Sequence, residues 1–86
     1  MKNKDKTYYV YILECNDSTL YTGITTDLQR RVEEHNSSQK GAKYTSTRRP
    51  VSLVYSEVHK GKSEASKREY AIKKLTKSKK IELINN

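Results

Sequence analysis

Thr7-Tyr8-Tyr9-Val10-Tyr11-Ile12-Leu13-Glu14-Cys15, then Asn16-Asp17-Ser18, then Leu20-Tyr21-Thr22-Gly23-Ile24, is the stretch that decides the architecture. Residues 7–15 are rich in Tyr, Val, Ile and Leu and read as a strand. The run is largely apolar on both faces, which suits an inner strand of a sheet. Asn16-Asp17-Ser18 is a turn signal, so residues 20–24 read as the second strand of an antiparallel hairpin. Side chains alternate across a strand. Tyr9 and Tyr11 therefore share one face, and Tyr21 and Gly23 share a face of the next strand.

Beyond the hairpin, Thr25 or Thr26 is placed to cap a helix running from about Asp27 to Asn36. Leu28, Val32 and His35 fall at helical spacing and define its inner face. Arg31 lies beside that stripe, whereas Arg30 points away. Residues 37–50 form a basic loop with no apolar period, ending in Pro50. Val51 to Val58 reads as a third strand. Ser63 is placed to cap a second helix, from about Glu64 to Thr76, with Ala65, Ile72 and Leu75 on its buried face and Glu69 among them. Ser78 is placed to open a short third helix carrying Ile81, Leu83 and Ile84. The order is β-β-α-β-α-α, an α+β pattern with no internal repeat and no dividing linker.

The 86 residues suit one domain over 7–86, with residues 1–6 polar and flexible. A domain this small buries only ~60% of the surface its unfolded chain exposes. With no Trp and no Phe, the seven tyrosines must supply all aromatic packing. A single cysteine, Cys15, excludes an intramolecular disulfide and reads as a small buried hydrophobe. The longest apolar run is too short to cross a bilayer, and the charged N-terminus has no signal-peptide pattern. The expectation is a soluble, cytoplasmic protein that does not engage a membrane. The formal net charge is +8, from 18 Lys and Arg against 10 Asp and Glu. That balance favours polyanionic partners, nucleic acid first.

Glu69 is the sharpest single feature, because a carboxylate is rarely set on a buried helical stripe unless it is paired or metal-bound. An ion pair with Arg31 or a nearby lysine is the structural reading. A histidine at a core rim, an arginine lying along its helix and tyrosines in a core are each ordinary features. The functional reading rests on Tyr11, Tyr21, Arg31, His35 and Glu69 converging at one end of a small sheet. Structural zinc is not indicated, since one Cys and two His lack ligand spacing. Gly61-Lys62-Ser63 is not a P-loop ending, because Ser56 stands where the first glycine is required.

These residues, in this order, resemble the GIY-YIG nuclease superfamily. Tyr9-Val10-Tyr11 stands for the first signature string, with Tyr9 in place of its usual glycine, and Tyr21-Thr22-Gly23 for the second. Thr25, Arg31 and His35, then Glu69 ahead of Ile72-Lys73-Lys74-Leu75, match the later motifs. The likeness runs from Tyr8 to about Ile84 and is closest to the small stand-alone bacterial members. It implies a three-stranded antiparallel sheet flanked by helices, and metal-dependent cleavage of a nucleic-acid phosphodiester. By the same resemblance Tyr11 is a base or nucleophile activator and Tyr21 positions water or phosphate. Arg31 stabilises the charged phosphate, His35 assists proton transfer, and Glu69 holds one divalent cation, Mg²⁺ or Mn²⁺. A second histidine used by some members is absent, its region holding Lys43 and Tyr44. An asparagine used by others has only Asn85 or Asn86 to stand for it.

In the basic loop, Lys40, Lys43, Arg48 and Arg49 form a candidate backbone-binding strip and Tyr44 a candidate base-stacking platform. A solvated loop is the alternative. The leading function is a small endonuclease acting on DNA or on a branched or damaged nucleic-acid structure, with repair or recombination as its setting by analogy. With no second module, specificity is expected to be weak, shape-based or supplied by a protein partner. The alternatives are a non-catalytic nucleic-acid-binding module on the same scaffold and an adaptor using exposed tyrosines.

Overall fold

A computed structural model of the chain describes residues 6–37 and 42–86. The expectations placed on residues 1–5 and on Lys40 lie outside the described residues. Strands β1 (Tyr8–Glu14) and β2 (Leu20–Thr25) lead into helix α1 (Leu28–Ser37) and a single turn, α2 (Lys43–Ser46). Strand β3 (Ser52–His59) and helices α3 (Lys62–Lys73) and α4 (Lys77–Ile84) follow. The strands form one antiparallel sheet in the order β2-β1-β3. The strand that is apolar on both faces is the central one.

The register assigns each face its helices. Val10 lies opposite Ile24 and Ile12 opposite Thr22; Tyr11 lies opposite Gly23 and Leu13 opposite Tyr21. Val10 and Ile12 are sealed against Ala65 and Ile72 of α3, with Leu83 and Ile84 of α4 packed on the same cluster. On the other face Tyr11 and Leu13 pack with Cys15, Val51 and Tyr21, and with Leu28 and Val32 of α1. Cys15 is a buried free thiol, a small hydrophobe as its place in the run suggested.

Helix boundaries depart from the sequence expectation at four points, the last being that Thr76 rather than Ser78 opens α4, with Ser78 inside the helix. The α1 cap is Asp27, whose carboxylate accepts the Arg30 N–H at 3.1 Å; Thr25 stands one step back, its hydroxyl accepting the Asp27 N–H at 3.1 Å. Helix α3 starts behind Gly61, so Ser63 is inside the helix rather than capping it. It stops at Lys73, which leaves Leu75 beyond the helix and 36% exposed instead of on its buried face. Thr76 then caps α4 by accepting the Lys79 N–H at 3.2 Å. The basic loop contains α2, whose Thr45 is fully buried; four residues are too few to show a period.

Polar contacts fix how α3 sits on the sheet. Glu57 of β3 accepts Arg68 Nε and His59 Nε2, each at 2.7 Å, and the Tyr55 hydroxyl. Burial opposes ionisation of Glu57, but these three donors overcome it and hold the carboxyl at about 2. With Arg68 anchored to β3, its neighbour Glu69 is turned to a different flank of the helix, because successive residues lie about 100° apart.

Space, rather than backbone conformation, requires glycine at position 23, since no described glycine has a positive φ. A Cβ at position 23 meets the Tyr11 hydroxyl oxygen at 2.6 Å and Cζ at 2.8 Å. Gly23→Ala is therefore expected to cost about 1–3 kcal/mol in urea denaturation, the range of an overpacked core. The same substitution in a Tyr11→Leu background is expected to cost under about 0.5 kcal/mol, because the clashing ring is gone.

Candidate active site

Tyr11 is delivered to the site by the centre strand and is 1% exposed. Its hydroxyl lies 3.0 Å from Nε2 of His35, on the last turns of α1. His35 is wholly buried, and its Nδ1 lies 2.8 Å from Thr45 Oγ1. Thr45 has one hydroxyl proton, and the Ala42 carbonyl accepts it at 2.9 Å. Nδ1 therefore carries the hydrogen toward Thr45, and Nε2 presents the lone pair that receives the Tyr11 O–H. The Ala42 N–H approaches Nδ1 only at 3.4 Å, the weaker claim on that nitrogen. Arg49 closes the ring of contacts by donating from Nε to the His35 carbonyl at 2.6 Å.

Arg31 lies one turn before His35. Its guanidinium donates to Glu34 Oε1 at 3.0 Å, and its charge favours ionisation of the Tyr11 hydroxyl. The side chain is 25% exposed, against 58% for Arg30, as the helical pattern required. Tyr21 lies with its ring centroid 5.2 Å from His35 and 6.4 Å from Tyr11. Glu69 approaches from α3; it pairs with Lys73 Nζ at 3.2 Å, keeps 23% exposure, and its charge acts on Tyr11. Tyr11, Tyr21, Arg31 and His35 are thus gathered in one cluster, with Glu69 within electrostatic reach.

Both central groups are neutral near pH 7. Burial pushes the Tyr11 phenol up to about 12, with Tyr21 and Glu69 adding to the rise and Arg31 opposing it. Burial also depresses His35 to about 4, aided by the charges of Arg31 and Arg49 and opposed by Glu34. A neutral phenol donating to a neutral imidazole is a proton path at rest.

The basic loop is arranged differently from a free strip. Arg48 donates from Nε to Asp17 Oδ2 at 3.0 Å and from its terminal nitrogen to the Tyr44 carbonyl at 2.8 Å. Its guanidinium lies 4.0 Å from the Tyr44 ring centroid, and Tyr44 is stacked on Tyr21 at 5.9 Å. Tyr44, Arg48 and Arg49 are therefore engaged with the protein, and Lys43 is exposed on α2. Sequence reasoning missed Thr45 and Glu34, the groups that hold His35 and Arg31. Glu34 carried a usable signal, three residues after Arg31 on the same helix; Thr45 carried none.

Among the described residues no three His, Cys, Asp or Glu side chains gather as a metal cage. One partly open carboxylate, its charge felt by the Tyr11 phenol, fits a hard cation that keeps most of its waters, not a closed zinc site. A cavity of about 300 Å³ lies on the α3–α4 face, lined by Glu14, Leu20, Val54, Lys77 and Ile81 among others. It includes none of the five site residues.

The GIY-YIG catalytic domain model matches residues 7–82 of the chain. A UPF0213 protein of Desulfotalea psychrophila is 61% identical over 77 residues, covering 90% of this chain and 70% of that protein. A UPF0213 protein of Staphylococcus aureus strain N315 is 57% identical over 77 residues, covering 90% and 93%. The solution structure of a UPF0213 protein from Bacillus halodurans is similar at 48% identity and a TM-score of 0.59, covering 92% of this chain and 83% of that one. That of a protein from E. faecalis gives 46% identity, a TM-score of 0.60, and coverage of 96% and 88%.

Three measurements follow from the His35 environment. The folded state holds His35 below its ordinary 6.5, so the unfolded chain takes up a proton first as pH falls. Stability from this group is complete above about pH 6.5 and is lost progressively toward pH 4. Ring-proton NMR is expected to show His35 neutral until about pH 4, and the fall in Tm between pH 6.5 and 4.5 is expected to flatten in His35→Gln. Thr45→Val, which keeps shape but strands the buried Nδ1–H, is expected to cost about 1–3 kcal/mol.

Proposed function

The chain belongs to the GIY-YIG catalytic domain family, whose members are generally nucleases, and from that premise we propose that it is a metal-dependent endonuclease hydrolysing phosphodiester bonds, with DNA as its substrate. The observation that carries this reading is the Tyr11 hydroxyl set 3.0 Å from His35 Nε2, with the charges of Arg31 and Glu69 both acting on it.

Arg31 and Glu69 are each about a quarter exposed and are the groups a substrate meets first. Arg31 donates to non-bridging phosphate oxygens, where its planar fork matches their geometry. Tyr11 takes a proton from the attacking water while its own passes to the waiting lone pair of His35 Nε2. The imidazole stays aligned because Thr45 holds Nδ1. Arg31 faces the phenolic oxygen and offsets charge that develops there. Tyr21 packs edge-on to His35 and walls the site on the hairpin side. Glu69 would hold one Mg²⁺ or Mn²⁺, leaving Lys73, whose exposed ion pair is weak in water. When bound, such a cation polarises the phosphoryl group and neutralises charge on the displaced oxygen.

The setting we propose is repair or recombination in the cytoplasm, with specificity supplied by substrate shape or a protein partner. Among the described residues no helix is long and apolar enough to cross a membrane. A second reading, a binding module without turnover, is favoured by one observation: Glu69 already has a partner, the Lys73 ammonium at 3.2 Å.

Nicked, branched and single-stranded substrates with Mg²⁺ or Mn²⁺ separate the two. Glu69→Ala is expected to abolish cleavage and leave binding largely intact. Tyr11→Phe is expected to lower the rate about 10²–10⁴-fold. Cleavage that survives in purified Glu69→Ala removes the cation role, and wild type that binds but never cuts selects the second reading.

A further inference from the structure

Residues 62–80 hold eight lysines and arginines against two glutamates, a surplus of six in a chain of net charge +8. Helix α3 buries Ala65 and Ile72. On its opposite side Lys67, Tyr70 and Lys74 recur at helical spacing and make one stripe. Tyr70 is 64% exposed, and the Lys74 ammonium lies 4.6 Å from its ring centroid. Tyr8, Tyr11, Tyr21 and Tyr55 pack on the two cores, and Tyr44, 39% exposed, is stacked on Tyr21. Tyr70 instead offers its ring to solvent between two cations.

We infer that this outer face of α3 binds an unpaired stretch of nucleic acid, one base stacking on Tyr70 and flanking phosphates meeting Lys67 and Lys74. The inference rests on the nucleic-acid reading above and gives it a contact surface. Three features support it. Lys67 and Lys74 are seven residues apart, about 10 Å along a helix, which is the rise of roughly three stacked nucleotides. An aromatic face among cations binds bases of any sequence by stacking. The cations are lysines at the surface, whereas Arg48 and Arg49 of the basic loop are engaged with Asp17 and the His35 carbonyl. Glu69 lies on the neighbouring flank of the same helix, about 100° round from Tyr70, so this face is separate from the proposed cation site.

The chain has no tryptophan, so Tyr70→Trp installs a single reporter. Titrating it in EDTA with an oligothymidylate of about 15 nucleotides, the upper end of a single-strand site size, is expected to give saturable quenching. Inorganic polyphosphate of equal charge is expected to give little. In the otherwise unchanged chain, Tyr70→Ala is expected to weaken oligonucleotide binding at least about fivefold by anisotropy, with Tyr70→Phe retaining it. Replacing Lys67 and Lys74 together by Ala is expected to reduce the salt slope by about 1.4, two single-strand phosphate contacts. Circular dichroism checks that each surface variant is folded. Binding that leaves the introduced indole unquenched, or Tyr70→Ala with unchanged affinity, overturns the assignment of this face. Absence of any single-strand binding overturns it as well. Cleavage of duplex or branched DNA in Mg²⁺ is scored separately, so the hydrolase reading stands or falls on its own result.

Discussion

One tyrosine ring lying against one glycine holds this site together. Tyr11 is on the centre strand and Gly23 is its cross-strand partner, and the ring occupies the space that a side chain at 23 would fill. That close approach sends the hydroxyl toward α1, where it meets His35. The sheet and the helix are therefore joined at the atom the proposed chemistry uses. Moving Tyr11 to relieve crowding would break its bond to the imidazole, so packing and proton path are a single constraint.

The electrostatics follow from the burial this joint requires. Sealing a phenol and an imidazole makes both charged forms costly, and each is driven toward neutrality. The charged groups stand at the edge instead. Arg31 is tied to Glu34, Glu69 to Lys73, and both keep part of their surface in water. A neutral interior with ionic groups at its margin avoids the penalty of an unpaired buried charge. It also leaves the margin able to exchange a weak internal partner for a phosphate or a cation.

Much of this was legible in the sequence, and what was not has a physical cause. The central strand could be read from its two apolar faces, and the inner face of α1 from Leu28, Val32 and His35. Arg31 was separable from Arg30 because helical spacing distinguishes adjacent residues. The helix ends were harder. A polar residue near a terminus is a cap only if its side chain reaches an orphan N–H; Asp27 does so, while Ser63 lies inside its helix. Thr45 was invisible because its value comes from meeting His35 ten residues away in the chain. Sequence counts the loop cations without showing that Arg48 meets Asp17 and Arg49 the His35 carbonyl. Glu57 and Arg68, which orient α3, were missed for the same reason: neither lies on a periodic apolar face.

The two kinds of cation divide the labour. Arg31, Arg48, Arg49 and Arg68 each donate to a carboxylate or a carbonyl of the fold. Guanidinium suits that role, with several donors in a rigid plane and weaker hydration than an ammonium. Lys43, Lys62, Lys67 and Lys74 are exposed, where a flexible, strongly hydrated point charge serves attraction without fixed geometry. A surface of this type binds a polyanion loosely and with steep salt dependence. Loose grip suits the proposed hydrolase, which must release two product ends, while the arginine at the reactive centre keeps a fixed direction through Glu34. Net charge alone therefore says little about where a substrate lies; which cations are tied to partners in the fold, and which stand at its surface, says more.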